Sequence, residues 1–172
     1  MQEMAAAAKQ ASIQAAVKSS QQKNEALRAI ADILTQYEAE IIAANQRDLA
    51  AAEKSGLAMA ALKRLQFDSA KLIAVVAGVE SLLQLPDPVG QTLSATELDT
   101  GLELYKVSCP IGVIGVIFES RPDALVQIST LCLKSGNAAL LKGGAEALHT
   151  NRILARLISQ ASVASGMPEN WL

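Results

Sequence analysis

Glu119, Ser120 and Arg121 stand together at the end of the apolar run "IGVIGVIF", and Pro122 follows them. A carboxylate, a hydroxyl and a guanidinium on one strand tip are the groups an anionic ligand needs. Pro122 suits the first position of a helix, where its missing N–H costs nothing. Ser120 and Arg121 would then face the positive end of that helix, where backbone donors and a guanidinium fork can hold an anion. A structural reading is equally open: Asp123 complements the dipole, and Arg121 pairs with Glu119 or Asp123. A second tip follows in "LLKGGAE". Gly143 and Gly144 permit close backbone approach, and Lys142 is a point charge suited to phosphate or ribose oxygens. A double-glycine turn also serves tight packing. Neither GxGxxG nor GxxxxGK[ST] is present, so the dinucleotide fingerprint and the P-loop are both missing.

Other reactive side chains have weaker settings. His149 is the only histidine and falls in the first turns of a helix, where a surface role is expected. Cys132 lies on the apolar face of its helix as a small core residue. Cys109 precedes Pro110 with no base nearby in sequence. Neither thiol has the features of a nucleophile, and no metal-binding spacing occurs.

The elements that must carry these tips follow from periodicity. Residues 4–85 are alanine-rich and free of proline until Leu85, with apolar side chains at helical spacing. Leu27, Ile30, Leu34 and Ile41 form one stripe, flanked by Ile33, Tyr37 and Ala44. Leu72, Val75, Val76, Val79, Leu82 and Leu83 form another. Gly56 reads as a helix stop and Asp68 as a helix cap. Glu25, Arg28, Asp32, Glu38, Arg47 and Asp48 are expected on a solvated face. "LPDPVG" ends the helical section. Alternation around Leu102, Leu104 and Lys106 then suggests an extended strand contacted on both sides, or a hairpin turning near Asp99, Thr100 and Gly101, with pairing open to the chain itself or to another subunit.

From Pro110 the rhythm becomes strand, helix, strand, helix. "IGVIGVIF" has the β-branched, continuous character of a strand buried on both faces. "PDALVQISTLCLKS" is read as a helix with Leu125, Ile128, Leu131 and Cys132 on its apolar face, stopping at Gly136-Asn137. "AALLK" is the next strand. "GGAEALHTNRILARLISQASVASG" is the next helix, with Leu148, Ile153, Leu157 and Ile158 apolar, and "MPENWL" leads towards a further strand. The expected fold class is α/β: N-terminal helices followed by the first βαβα units of a doubly wound parallel sheet, left incomplete. Ligands of such sheets bind beyond the carboxyl ends of the strands, where both polar tips lie. The expected division is a helical part over 1–85, an extended linker over 86–109 and half of a dinucleotide-binding unit over 110–172.

Bulk properties restrict the partners. The chain has 172 residues, 51% hydrophobic, with a formal net charge of -2. It lacks the basic footprint of a nucleic-acid binder and any apolar run of spanning length. Two cysteines without paired spacing suggest a reducing compartment, taken as the cytoplasm.

"CPIGVIGVIFESRPDALVQISTLCLKSGNAALLKGGAEALHTNRIL" closely resembles the corresponding stretch of the γ-glutamyl phosphate reductases, also called glutamate-5-semialdehyde dehydrogenases, of the aldehyde dehydrogenase superfamily. "NQRDLAAAEKSGL", "LKRLQFDSAKL" and "LPDPVG" resemble the same family's N-terminal pattern. The resemblance implies NADPH-dependent reduction of γ-glutamyl phosphate to glutamate-5-semialdehyde in proline synthesis, through a cysteine thiolate. By resemblance, Lys142 reaches the adenosine ribose or its phosphate with Gly143 and Gly144 beside it. Ser120, Arg121 and Pro122 match a loop near the nicotinamide and the reacting carbonyl, where Ser120 replaces an asparagine common in the superfamily. These six are the expected cofactor-binding residues. The family's nucleophilic cysteine belongs to a catalytic domain beyond residue 172, so the 172-residue chain alone is expected to lack turnover. The full-length protein is expected to be a homo-oligomer. The competing expectation is a non-enzymatic binding or assembly module derived from such a protein; a relative acting on a free aldehyde is disfavoured by "FESRP".

Overall fold

The computed structural model describes residues 2–172. Five helices come first: α1 (Gln2–Ala16), α2 (Ser20–Gln36), α3 (Glu38–Lys54), α4 (Met59–Leu65) and α5 (Ser69–Gln84). Ser19 begins α2 with a capping box, in which its hydroxyl accepts from the Gln22 N–H and the Gln22 side chain returns to the Ser19 N–H. Asp68 caps α5 by accepting from the Lys71 N–H. The Leu27–Ile41 stripe is fully buried, yet it belongs to two helices, because the backbone breaks at Tyr37. The α5 stripe is buried as expected at Leu72, Val75, Val79 and Leu82.

A two-stranded antiparallel ribbon follows, β1 (Thr92–Asp99) and β2 (Leu102–Val107), turning at Thr100-Gly101. Every residue of both strands is exposed. Among the described residues the two-sided contacts expected for this segment are therefore not made, and β1 and β2 have each other as strand partners.

β3 (Val113–Ile117) and β4 (Ala138–Lys142) then form a parallel pair, linked by α6 (Pro122–Lys134). A 3-10 turn over Ala145–Ala147 leads into α7 (Leu148–Ala164). Gly136 takes φ +70 between α6 and β4, with the Pro110 ring and the Ala15 carbonyl against its Cα, so it answers both a left-handed turn and a close approach. After α7 the chain returns to the sheet, where the Trp171 carbonyl accepts from the Ala139 N–H at 2.6 Å. That one backbone bond joins "MPENWL" to the side of β4 away from β3, and no strand is formed there among the described residues. Trp171 is buried, and its indole N–H donates to Ser162 Oγ at 2.8 Å.

One apolar core joins α1, α2, α5, α6, α7 and β4. α2 packs on α7, α5 on α6 and α1 on β4, so the helical section and the α/β section share their interior. Two expectations are corrected here. β3 is not buried on both faces: Gly115 is exposed and Ile117 is 80% exposed, since β4 is its only strand partner among the described residues. The apolar face of α6 is also rotated from the one read by periodicity. Leu131 is 56% exposed, while Val126, Ser129 and Leu133 lie inside with Leu125 and Cys132. The Ser129 hydroxyl reaches that interior because it donates to the Leu125 carbonyl. Among the described residues, no helix is long and apolar enough to cross a membrane.

Candidate functional site

The parallel register of β3 and β4 brings the two polar tips side by side. Val113 lies opposite Ala138 and Ile117 opposite Lys142. One more bond, from the Phe118 N–H to the Lys142 carbonyl at 3.0 Å, carries the pairing past the end of β3. Beyond it, Glu119-Ser120-Arg121 and Gly143-Gly144 leave the sheet from adjacent strand ends, at the carboxyl edge where open α/β sheets bind ligands.

The loops are tied by a side chain that sequence reading passed over. Glu146 Oε1 accepts from the Ser120 N–H at 2.9 Å and from the Ser120 hydroxyl at 2.5 Å. The Ser120 hydroxyl and the backbone N–H of Glu146 itself hold this carboxyl below the usual range; burial opposes them, and the Ser120 N–H adds to the lowering. Ser120 is nearly buried, at 6% exposure. Pro122 occupies the first residue of α6, as expected. Arg121 pairs with Asp123 at 2.9 Å with its guanidinium largely in solvent, the structural pairing left open by the sequence. Lys142 is exposed, and its ammonium forms no ion pair among the described residues.

Beside the tip of β4 lies a cavity of about 450 Å³, within the range of small-ligand pockets. Phe118, Leu140, Gly143, Gly144, Asn151 and Arg152 are on its wall. Of the six expected residues, the two glycines line it; Ser120, Arg121, Pro122 and Lys142 lie outside the wall. Asn151 and Arg152 were not singled out from sequence. Their signal is a polar pair two turns beyond the double glycine, in a helix whose next residues are apolar. Asn151 Oδ1 is buried without a hydrogen-bond partner among the described residues. A Cβ on Gly143 would collide with the Asn151 amide and crowd the Phe118 ring. Asn151 and Arg152 thus place an orphaned acceptor and a guanidinium beside a side-chain-free turn, on a wall otherwise formed mainly by apolar side chains.

A second polar cluster sets the direction of α7. Asp48, expected on a solvated face, is 3% exposed. Its carboxylate accepts from the His149 N–H at 3.0 Å, the Thr150 N–H at 2.7 Å and the Thr150 hydroxyl at 2.6 Å. α7 has no side-chain cap from its own preceding residue, so α3 supplies one from across the fold. Asn45, one turn earlier, donates to Thr150 Oγ1 and to the Leu65 carbonyl and accepts from the Phe67 N–H. The site's double-glycine turn is therefore held at its far end by α3.

The thiols occupy different settings. Cys132 is buried in α6, where burial pushes its thiol above the usual range; Cys109 is exposed. The His149 ring is exposed, as expected. Among the described residues, no group of three or more His, Cys, Asp or Glu side chains could hold a metal ion.

No family model matches the chain. It is 59% identical over 172 residues to γ-glutamyl phosphate reductase of Pelotomaculum thermopropionicum, covering 100% of this chain and 40% of that protein. The crystal structure of γ-glutamyl phosphate reductase from Saccharomyces cerevisiae superposes with a TM-score of 0.94 at 39% identity, over 99% of this chain and 44% of that one. The chain is a homologue of the γ-glutamyl phosphate reductases. It spans about two-fifths of the length of the reductases it matches. An acetylating aldehyde dehydrogenase from Geobacillus thermoglucosidasius, at 14% identity, a TM-score of 0.70 and coverage of 99% and 35%, shares the fold alone. With these reductases as frame, the N-terminal helices and the first βαβα units of an aldehyde dehydrogenase-like fold are all present in residues 2–172.

Proposed function

We propose that this chain forms the cofactor-side portion of an NADPH-dependent reductase that converts γ-glutamyl phosphate to glutamate-5-semialdehyde in proline biosynthesis, in the cytoplasm. One observation carries the reading: the Ser120 and Lys142 tips are adjacent at the carboxyl edge of the sheet, next to a cavity floored by Gly143 and Gly144. Lys142 and Arg152 would hold the anionic part of the nucleotide, the two glycines would admit its backbone closely, and Ser120, Arg121 and Pro122 would border it. The bound cofactor supplies a hydride. The overall balance takes an acyl phosphate, NADPH and one proton to the aldehyde, NADP⁺ and inorganic phosphate.

The nucleophile of this reading is a cysteine outside residues 1–172. Cys132 is sealed within α6, and Cys109 stands apart from both strand tips in sequence. Residues 1–85 then act as the helical part of the cofactor domain, 86–109 as an extended linker and 110–172 as the first half of the nucleotide-binding unit. The exposed β1–β2 ribbon would serve contact with a second copy in the full-length protein.

The test is a fluorescence titration of the chain with NADPH, before and after Lys142→Ala. Loss of a charged contact weakens binding by about ten- to a hundredfold. Equal affinity for both removes Lys142 from the site. Steady NADPH oxidation by the chain alone, with γ-glutamyl phosphate supplied, would overturn the assignment of the nucleophile to another segment.

A further inference from the structure

We propose that Glu146 is a positioning residue: it clamps the Ser120–Pro122 loop against the tip of β4 and acts on the nucleotide site through Ser120 rather than by touching the ligand. The geometry has three parts. Glu146 Oε1 receives both donors of Ser120, the N–H at 2.9 Å and the hydroxyl at 2.5 Å, so neither is left for a bound molecule. Ser120 immediately precedes Arg121 and Pro122, the residues that open α6, so holding it fixes where that helix begins. Gly144 makes the clamp possible. The Glu146 carboxylate folds back over the Gly144 Cα so closely that any Cβ there would strike it.

These observations give the double glycine a division of labour. Gly143 clears space for Phe118 and Asn151 on the cavity wall, while Gly144 clears space for the carboxylate of Glu146. A glutamate two residues past the turn thereby becomes the link between two strand ends where, among the described residues, the Lys142 ammonium makes no hydrogen bond or ion pair of its own. A carboxylate suits the role because its charge strengthens both hydrogen bonds that the one oxygen accepts.

The proposal relies on the reductase reading only for the ligand, and the two can fail separately. The first measurement is amide hydrogen exchange at Ser120 by NMR, in the chain and in its Glu146→Ala and Glu146→Gln variants. Glu146→Ala is expected to speed exchange at Ser120 about tenfold or more while leaving Gly115 and Val116 in β3 unchanged; Glu146→Gln, which keeps an acceptor oxygen, restores part of the protection. Unchanged exchange at Ser120 in Glu146→Ala overturns the clamp, whatever the ligand. The second measurement is NADPH affinity for Glu146→Ala, Ser120→Ala and the double variant. Ser120→Ala keeps the Ser120 N–H bond, so a residue acting through Ser120 gives a loss for Ser120→Ala no larger than that for Glu146→Ala, and the double variant loses no more than Glu146→Ala alone. A double variant whose loss equals the sum of the two single losses would mean direct contact of Glu146 with the ligand and would overturn positioning. Absence of NADPH binding to the unsubstituted chain counts against the reductase reading, with the exchange result still deciding the clamp.

Discussion

Replacing Asp48 by alanine should be the most damaging single change near the site that leaves the core apolar side chains untouched. The carboxylate accepts three hydrogen bonds at 3.0, 2.7 and 2.6 Å, two of them from the backbone donors that open α7. Asp48→Ala leaves the Thr150 N–H without an acceptor in a residue that is fully buried, and the His149 N–H beside it. A buried donor left unsatisfied costs about 1–3 kcal/mol, and loss of a negative charge at a helix N-terminus adds about 0.3–1 kcal/mol. Together these predict a loss of about 1.5–4 kcal/mol. For a chain of this size each kcal/mol moves the melting midpoint by roughly 2–4 °C, so the shift should be on the order of 10 °C. Asp48→Asn keeps one acceptor and should lose about half as much. Thr150→Val, which removes only the hydroxyl, should lose about 1 kcal/mol. Circular dichroism melts and urea titrations of the three variants measure the series. If Asp48→Ala unfolds within 1 kcal/mol of the parent, the cap carries no load, and the argument that α3 aims the double-glycine turn through α7 collapses with it.

Two further outcomes follow from other contacts. Burial alone would raise the Asp87 carboxyl, but bonds from Lys23, Ser20 and the Val89 N–H, with the Lys23 charge, bring it below its ordinary 3.8. A depressed folded value means the stabilisation is complete above the unfolded pKa and is lost as pH falls through the folded one. Melting midpoints of the parent should therefore drop below about pH 4. Asp87→Asn should flatten that part of the curve and lower the plateau, because Lys23 is buried and loses its 2.5 Å partner; an unchanged acid limb would exclude this pair as its source. Leu104 on the ribbon is exposed, and the ribbon's strands contact mainly each other. Leu104→Asp should leave the melting midpoint nearly unchanged and reduce self-association measured by light scattering; equal masses for both proteins would exclude this face as the contact between copies.

What the sequence made legible depended on the distance over which each feature is decided. α5, α6, the ribbon turn at Thr100-Gly101 and the two parallel strands follow from period and punctuation within a few residues and stand where the pattern put them, whereas the break at Tyr37 falls inside a stripe that reads as continuous. Asp48 and Glu146 were illegible for the opposite reason. Each has local surroundings that read as a solvated helix, and its partners lie at His149 and Thr150, or at Ser120, on another element. Leu131 shows the same blindness in reverse. Helical spacing groups it with Leu125 and Cys132, but the contacts of α5 and α7 choose a face centred on Ser129, whose hydroxyl is satisfied by its own helix. β3 carries the point furthest. A run such as "IGVIGVIF" states that a strand is meant to be covered, whereas Ile117 remains 80% exposed with β4 as its sole strand partner among the described residues. An apolar side chain left in water at a strand tip forgoes about 1.5–3 kcal/mol of burial. The sequence of β3 is thus matched to neighbours that residues 2–172 do not supply. That mismatch falls at the same sheet edge as Ser120 and Lys142, the edge on which the proposed reading rests.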